Sequence, residues 1–374
     1  MRFTLSSSLL NNRLLTLAKV INNKNSINIL ECFLFEVKEG VLVITASDSE
    51  NVMETELTLD ECDGNGCFAI ANRTIIDALK EIPEQPLTFN VDTNTFNIQL
   101  AYLNGMYNFT AQDATEYPRL KPMAEDAHVI TVNANMLQNG LSRTMFAASP
   151  VEIRPIMSSV YFDLGEDCLT LVATDGHKLA RNRNYKVKTE EPSAFILPKK
   201  PSNLLKNILP KDDSDVVIRF CEGNAEIRYA DGTLSCLLLE GRYPNYNSVI
   251  PSNNPNEMNI DRKAFLGALR RVSTFASESS QLVRLHITAG NLELSAEDID
   301  FATSAKENIL CEYSGKPMDI GFKSSALSDI LNNLEGDEII VKLADPSRAC
   351  VIVPTENPEN EDILMLLMPM LLND

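Results

Sequence analysis

The chain has 374 residues, which is too long for one ordinary hydrophobic core and long enough for two or three domains. Hydrophobic residues make up 44% of it and charged residues 23%, no run approaches the roughly 18 apolar residues of a membrane span, and the opening residues lack the apolar core of a signal peptide, so we expect a cytoplasmic protein. The formal net charge of −19 argues at first sight against a nucleic-acid partner, because such proteins usually carry a basic surface.

The first third of the chain predicts two helices among short strands. A strand at residues 2–5 leads into a helix at about 8–20, and a second helix starts at about Asn72. The dipeptide Asn104-Gly105 is typical of a tight hairpin turn. Both helices are indicated by apolar residues at helical spacing, which are Leu10, Leu14, Leu17 and Ile21, then Ile75, Ile76, Leu79 and Ile82.

The middle and last thirds repeat this order of elements. The middle third predicts helices at about 133–145 and 199–208, and a hairpin turn at Asp231-Gly232. The last third predicts helices at about 261–275 and 323–333. It has Asp345-Pro346-Ser347 where the other two thirds have their Gly-containing turn, so the pattern is incomplete there.

Self-similarity at a period of about 125 residues indicates a triplicated domain. Three similar strands contain Ala46, Ala173 and Ala296, which lie 127 and then 123 residues apart, and each strand ends close to an aspartate. We therefore predict an α+β fold of three tandem domains, each a duplicated unit of one helix and antiparallel strands. Polar, proline-containing stretches place the boundaries at 1–124, 125–251 and 252–374.

Positive charge is concentrated in the six predicted helices. Their windows carry a net formal charge of +10, which leaves −29 for the rest of the chain. This segregation suits helices that contact phosphates without reading bases, and an acidic remainder that repels DNA. The alternative is that surface helices have collected Lys and Arg by chance.

The cysteines and histidines indicate no metal or disulfide chemistry. No CxxC pair occurs, and His128, His177 and His286 are far apart in the sequence, so no zinc site is expected. We expect reduced thiols that serve as small core residues. The eight cysteines are Cys32, Cys62, Cys67, Cys168, Cys221, Cys236, Cys311 and Cys350.

The run Ala173-Thr174-Asp175-Gly176-His177-Lys178-Leu179-Ala180 closely resembles the hallmark loop of bacterial DNA sliding clamps, the beta subunits of DNA polymerase III. The resemblance extends over the whole chain, in motifs that match in order: Met1-Arg2-Phe3, Gly241-Arg242-Tyr243-Pro244-Asn245-Tyr246, Tyr313-Ser314-Gly315, Ile320-Gly321-Phe322 and Met368-Pro369-Met370. It implies a non-catalytic processivity factor of DNA replication that needs no cofactor. Two such subunits would form a head-to-tail homodimeric ring around double-stranded DNA, with helices lining the ring and sheets outside.

The resemblance also implies a pocket for partner peptides, which would come from the polymerase III catalytic subunit, the clamp loader and other proteins with a clamp-binding motif. Its apolar lining suits short hydrophobic motifs. The implied pocket residues are Met157, Thr174, Gly176, His177, Lys178, Leu179, Pro244, Val249, Leu366, Met368, Pro369 and Met370.

Two further sets of residues follow from the same resemblance. The candidates for DNA contact are Lys24, Arg73, Arg143, Lys199, Lys200 and Arg271. The candidates for the dimer interface are Tyr107 and Phe109 on an edge strand, facing Thr274 and Phe275, with edge-to-edge strand pairing closing the ring. Ordinary core packing is the alternative role for Tyr107 and Phe109.

The chain departs from the family pattern beside the implied pocket. It ends Met370-Leu371-Leu372-Asn373-Asp374, where the family commonly has a basic residue and a terminal leucine, and Ala326 stands where an aromatic residue is often found. These departures leave the peptide preference open.

Two other functions are compatible with parts of the sequence. An enzyme could use Asp175 and His177 as an acid–base pair, but the sequence offers no partnered nucleophile, metal cluster or phosphate loop. Asp175 also occupies the repeat position of Asp48 and Asp298, which predicts a role in forming a turn. The second alternative is a scaffold that binds proteins through the pocket but does not bind DNA.

Overall fold

The computed structural model describes residues 1–22, 27–120, 123–151 and 153–372. Within them the chain forms three successive α+β segments, each with two helices among antiparallel strands, as the sequence predicts. The first segment contains β1 (Arg2–Ser6), α1 (Ser7–Leu17), β2 (Cys32–Lys38), β3 (Val41–Ser47), β4 (Asn51–Thr58), β5 (Glu61–Asp63), β6 (Gly66–Ala71), α2 (Asn72–Leu79), β7 (Pro86–Val91), β8 (Asn97–Tyr102) and β9 (Gly105–Thr110).

The other two segments follow the same plan. The second contains β10 (His128–Asn133), α3 (Ala134–Met145), β11 (Val160–Leu164), β12 (Leu169–Thr174), β13 (Lys178–Asn184), β14 (Ser193–Leu197), α4 (Lys199–Ile208), β15 (Asp215–Cys221), β16 (Asn224–Tyr229) and β17 (Gly232–Leu237). The third contains β18 (Asn256–Asp261), α5 (Arg262–Ser273), β19 (Leu282–Thr288), β20 (Asn291–Asp298), β21 (Thr303–Leu310), β22 (Glu312–Tyr313), β23 (Met318–Lys323), α6 (Ser324–Asn333), β24 (Glu338–Leu343), β25 (Cys350–Pro354) and β26 (Glu361–Leu367).

The helices begin where the sequence provides caps and apolar spacing. The Ser6 hydroxyl accepts a hydrogen bond from Leu9 N at the start of α1, and Asp261 accepts one from Ala264 N at the start of α5. All six predicted helices are confirmed, with ends within three residues of those expected. None of the helices in the described ranges is long and apolar enough to cross a bilayer.

The strands form four sheets in two compact units. One unit comprises Met1–Met136 with Asn203–Leu238, and the other Leu137–Ser202 with Leu239–Asp374. The first holds a sheet of order β5-β1-β7-β8-β9 and one of order β10-β15-β16-β17-β4-β3-β2-β6. The second holds a sheet of order β14-β11-β12-β13-β26-β25-β24-β18-β22 and one of order β21-β20-β19-β23.

In each unit one sheet continues from one repeat into another. Strand β17 pairs with β4 in the first unit, and β13 pairs with β26 in the second, both antiparallel. The middle repeat therefore contributes strands to both units, because β10 and β15–β17 lie in one sheet and β11–β14 lie in another.

Each unit has a core of interleaved apolar side chains. In the first, the rings of Phe3 and Phe89 stack with centroids 4.8 Å apart. In the second, Phe265 of α5 and Phe322 of β23 lie in one large apolar cluster. Aromatic rings packed in this way bury much area and restrict the angle between neighbouring elements.

The cysteines are all unpaired thiols, and they divide between core and surface. Cys32, Cys236, Cys311 and Cys350 are buried, as predicted for small core residues. The same prediction is wrong for Cys62 and Cys67, which are exposed on β5 and β6. Across the described part of the chain no group of three or more His, Cys, Asp and Glu side chains is arranged to hold a metal ion.

Candidate functional site

The loop between β12 and β13 is a tight turn organised by Asp175. Its Oδ1 accepts hydrogen bonds from the backbone N–H groups of His177 and Lys178, both at 2.8 Å. Thr174 Oγ1 donates to Lys178 O at 2.7 Å and accepts from Gly176 N at 3.1 Å. Gly176 has a φ of +91°, a backbone conformation that glycine adopts without strain.

The same aspartate turn occurs in the other two repeats. Asp48 Oδ1 accepts from the N–H groups two and three residues further on, at 3.0 and 2.7 Å. Asp298 Oδ1 does the same at 3.0 and 3.2 Å. The turn-forming role predicted for Asp175 is confirmed, and it engages one oxygen of the carboxylate, Oδ1.

The C-terminal segment is attached to this loop by backbone hydrogen bonds. Strand β26 pairs with β13, and Met368 N then donates to His177 O at 2.8 Å. Two residues later, Met370 N donates to Gly321 O at 2.8 Å. The Met368–Met370 segment therefore lies between the aspartate turn and β23. This brings the predicted pocket residues of the C-terminal segment next to those of the β12–β13 loop.

An apolar cluster lies beneath the loop and the segment. Its buried members are Val172, Leu179, Ile196, Tyr243, Tyr246, Ala349 and Leu366. The rings of Tyr161 and Tyr243 stack with centroids 4.7 Å apart, and the Tyr246 hydroxyl donates to Asp163 at 2.6 Å. Burial raises the pKa of Tyr246 to about 12, so this hydroxyl stays protonated at neutral pH.

Among the predicted pocket residues, Met157 is half-buried, and Pro244, Val249 and Met368 are exposed. Met157 lies beside Gly176, where a Cβ would be 3.9 Å from its Cε. Val249 and Met368 present exposed apolar side chains, and Pro244 is exposed between the two buried tyrosines. Exposed apolar atoms beside buried aromatic rings form a surface that favours an apolar ligand.

The side chain of Lys178 is directed away from solvent. Its Nζ lies 2.7 Å from Asp329 on α6 and 5.8 Å from the ring centroid of Phe146, and the residue is buried. Lys178 therefore ties the loop to α6, and its ammonium group is already neutralised by a carboxylate.

Part of this aromatic cluster was not predicted from the sequence. Tyr161, Tyr243, Tyr246 and Ala349 belong to the cluster but were not among the predicted pocket residues. A signal was present for Tyr243 and Tyr246, since both lie in the Gly241–Tyr246 motif next to Pro244. A cavity of about 430 Å³ beside the floor is lined by Tyr161, Phe195, Leu239 and the two tyrosines.

The basic residues predicted to contact DNA have different environments. Arg73 on α2 and Lys199 on α4 are exposed, and Lys200 is half-buried. Arg271 on α5 is exposed but binds Glu307, and this hydrogen bond raises the pKa of the arginine. Lys24 lies outside the described residues.

The structure contradicts the prediction for Arg143. The residue is 6% exposed, its Nη2 lies 3.0 Å from Glu335, and its Nη1 also pairs with Glu361. A buried guanidinium held by two carboxylates has no free charge for a phosphate, so Arg143 is a structural residue. A count of charged residues in a predicted helix cannot distinguish a buried, ion-paired arginine from an exposed one.

The predicted interface residues lie on the edge strand β9 and directly after the last residue of α5. Tyr107 and Phe109 are half-buried on β9, which ends the five-stranded sheet, and the rings of Tyr102 and Tyr107 are 5.2 Å apart. Thr274 and Phe275 directly follow α5, and the Phe275 side chain is exposed. The half-buried side chains of Tyr107 and Phe109 are compatible with both roles considered above, core packing and a dimer interface.

Comparison with known proteins defines the class of the fold. Over the full length of both chains, the structure matches a DnaN sliding clamp (DNA polymerase III subunit beta) from Pseudomonas aeruginosa bound to griselimycin, with a TM-score of 0.94 and 22% identity. It also matches a DNA polymerase sliding clamp from Bacillus subtilis over both full lengths, with a TM-score of 0.91 and 26% identity. The fold is that of three beta-clamp domains.

The sequence comparisons then give the family. Models of the DNA polymerase III beta subunit match with its N-terminal domain at residues 1–121, its central domain at 131–245 and its C-terminal domain at 247–371. The beta sliding clamps of Bacillus subtilis and Haemophilus influenzae are each 26% identical, over 99% of this chain and 99% and 100% of their own lengths. The chain belongs to the DNA polymerase III beta subunit family, the sliding clamps of DNA replication.

Proposed function

We propose that the chain is a non-catalytic processivity factor that acts as a homodimeric ring in the cytoplasm. The ring encircles duplex DNA, slides on it without sequence specificity and tethers the replicative polymerase, the clamp loader and other partners. The observation that carries this proposal is the joining of the Met368–Met370 segment to the His177 loop over an apolar floor. Membership of the sliding clamp family supports it.

The pocket proposal follows from the chemistry of these residues. Exposed Val249 and Met368 above buried aromatic rings offer apolar area and few polar partners. Burying about 200–300 Å² of a peptide's apolar surface contributes roughly 5–8 kcal/mol before the cost of ordering the peptide. We therefore expect micromolar, exchangeable binding of short hydrophobic motifs, which suits a site shared by several partners.

The DNA-binding proposal is restricted to Arg73, Lys199, Lys200 and Arg271, with Lys24 as a further candidate. All four lie on helices, and contacts from them to phosphates would carry no sequence information. Such contacts release counterions, so residual binding to linear DNA is expected to weaken steeply with salt.

Retention on DNA of different topology tests the ring. After loading by a clamp loader, the protein is expected to stay on nicked circular DNA through gel filtration and to leave once the circle is linearised. Equal loss from both forms would overturn the encircling mechanism. Equal retention on both would indicate direct binding instead.

A matched pair of variants tests the basic set. Arg73→Gln with Lys199→Gln removes two helix charges, whereas Lys38→Gln with Lys188→Gln removes two exposed charges outside the helices. The first pair is expected to reduce retention or loading and the second to leave both unchanged. Equal behaviour of the two pairs would favour the scaffold that does not bind DNA.

A further inference from the structure

A cavity of about 300 Å³ lies where β4 of the first repeat pairs with β17 of the second. The described residues that line it all belong to the first compact unit. We propose that this cavity is a second binding site, and that it takes a basic side chain, arginine or lysine, of a partner protein. It is distinct from the candidate peptide site beside the β12–β13 loop, which lies in the second unit.

The segments that follow the first two repeats share a tyrosine–proline pair. Tyr117-Pro118 and Tyr243-Pro244 lie 126 residues apart, and both tyrosines are buried. Tyr117 lies in one apolar cluster with Leu34 of β2, as Tyr243 stacks on Tyr161 of β11. Leu34 and Tyr161 are equivalent, because their partners on β3 and β12 each directly precede the repeat alanine. The cavity beside Tyr117 is therefore the repeat equivalent of the region beside Tyr243.

The two equivalent regions differ in charge. Glu54 on β4 corresponds to Arg181 on β13, because each directly follows the residue that faces the repeat alanine. Arg181 is neutralised by Asp362 at 2.5 Å. Glu54 lines the cavity, accepts a hydrogen bond from the Thr45 hydroxyl at 3.3 Å and, among the described residues, forms no ion pair. The first junction thus has an unpaired carboxylate where the second has a paired guanidinium.

The other two carboxylates that line the cavity are already paired. Glu36 lies 2.5 Å from Arg119. Glu226 lies 3.5 Å from Arg219 and 3.9 Å from Arg228. A cation that enters the cavity would therefore find its counter-charge at Glu54.

The surroundings of Glu54 make its negative charge unfavourable in the absence of a ligand. Burial raises the pKa of this carboxyl, and the charges of Glu36 and Glu56 add to the effect, whereas the Thr45 hydroxyl and Arg119 oppose it. A carboxylate removed from water in this way is stabilised by a cation that donates hydrogen bonds to it. No group of three or more His, Cys, Asp and Glu side chains in the described ranges is arranged to hold a metal ion, so an organic cation fits the lining better.

Apolar and hydroxyl groups complete the lining. Leu34, Val52 and Met123 offer apolar contacts, and Thr233 and Ser235 add hydroxyl groups. A side chain with an aliphatic stem and a charged end matches both kinds of surface. The cavity is at the small end of the range for ligand sites, which suits one long side chain. The choice of a protein as its source rests on the peptide binding proposed for the equivalent site, whereas the choice of a cation does not.

Two capped tripeptides test the cation. The probe acetyl-Gly-Arg-Gly-amide carries one positive charge and no apolar side chain for the candidate peptide site. In the matched peptide citrulline replaces arginine, which removes the charge and keeps the shape. Saturation-transfer NMR with the full-length protein at low salt is expected to show the arginine peptide binding at least about tenfold more tightly. Equal binding of the two peptides, or no binding of the arginine peptide at about 10 mM, would overturn the proposal.

A matched pair of variants tests the position of the site. Glu54→Gln removes the charge and keeps the size of the side chain. Glu56→Gln removes the same charge from the same face of β4, at an exposed residue that does not line the cavity. This control is needed because a protein with a net charge of −19 attracts cations in general. Glu54→Gln is expected to weaken binding of the arginine peptide about tenfold and Glu56→Gln less than about twofold, and equal effects would overturn the site.

Urea denaturation gives a second measurement on the same variants. Glu54→Gln is expected to raise the free energy of unfolding, because it removes an unpaired and partly buried charge, whereas Glu56→Gln should leave it unchanged. A fall in stability for Glu54→Gln would show that the carboxylate is already compensated within the chain, and would overturn the proposal.

Two further ligands separate this inference from its alternatives. Putrescine carries ammonium groups without a peptide backbone, and binding as tight as that of the arginine peptide would overturn the assignment to a protein side chain. An apolar clamp-binding peptide is measured in parallel. Its failure to bind the wild-type protein would contradict the proposed peptide site instead, which is a separate outcome from the comparison of arginine with citrulline.

Discussion

The Nζ atom of Lys178 lies 2.7 Å from a carboxylate oxygen of Asp329, joining the β12–β13 loop to α6 across 151 residues of sequence. The lysine side chain is nearly buried and the aspartate is about half-exposed. We therefore expect the position of the β12–β13 loop at the candidate peptide site to depend on Asp329, which is not itself one of the predicted pocket residues.

Asp329→Asn is expected to weaken peptide binding about two- to fivefold and to lower the free energy of unfolding by about 1 kcal/mol, because it leaves a buried ammonium group without its counter-charge. Fluorescence anisotropy with a labelled clamp-binding peptide, together with urea denaturation, measures both effects. Asp337→Asn removes the exposed pair with Lys263 and is the control. Equal effects of the two substitutions would contradict the positioning role.

Gly321→Ala is expected to weaken peptide binding at least tenfold while retention on circular DNA persists. A Cβ at this position would lie 2.9 Å from Met370 O and 2.8 Å from a Leu372 methyl carbon, so the C-terminal segment must move. Gly290→Ala in the same repeat is the matched control, since nothing lies within 4 Å of its added Cβ. Unchanged binding by Gly321→Ala would show that the segment does not contribute to the pocket.

Arg143→Ala is expected to destabilise the protein by about 3–5 kcal/mol, because it leaves the nearly buried Glu361 without its partner. Arg73→Gln, on an exposed helix position, is expected to change stability by less than about 0.5 kcal/mol. Thermal and chemical denaturation distinguish these two roles. A stable Arg143→Ala protein that is defective only on DNA would restore the original assignment.

Acid is expected to destabilise the third repeat through Asp319. Hydrogen bonds from Arg284 and then His286 lower the pKa of this carboxyl below its ordinary 3.8. Since the folded state favours the charged form, the stabilisation is present above pH 3.8 and is lost as the pH falls through the lowered pKa. Urea denaturation at pH 5 and pH 3 should show a smaller decrease for Asp319→Asn than for the wild type. If Asp319→Asn lost as much stability between pH 5 and pH 3 as the wild type, Asp319 would not be a source of the acid sensitivity. Asp300→Asn is the control for the loss of one negative charge.

The sequence predicts elements well where the signal is local. Apolar spacing predicts all six helices, and the repeat position of Asp175 predicts its turn, because both depend on neighbouring residues. The burial of Arg143 is not predictable from local sequence, because its partners, Glu335 and Glu361, are distant in the chain. The pairing of β13 with β26 is equally non-local, and it forms the candidate site.

The aromatic residues beneath the site are a second example of contacts that local sequence patterns cannot predict. Tyr161 and Tyr243 stack only because β11 and the loop after β17 meet, and no spacing rule connects positions 82 residues apart. The motif that contains Tyr243 indicated a site, but not which of its side chains are buried.

Because two of the sheets run across the boundaries between repeats, the protein cannot be divided at these boundaries without separating paired strands. A cut between the first and second repeats would separate β4 from β17, and a cut between the second and third would separate β13 from β26. Each fragment would expose a strand edge with unpaired backbone N–H and C=O groups, and such edges are prone to aggregation. The three repeats are similar, but each isolated repeat would leave at least one of these strands without its partner.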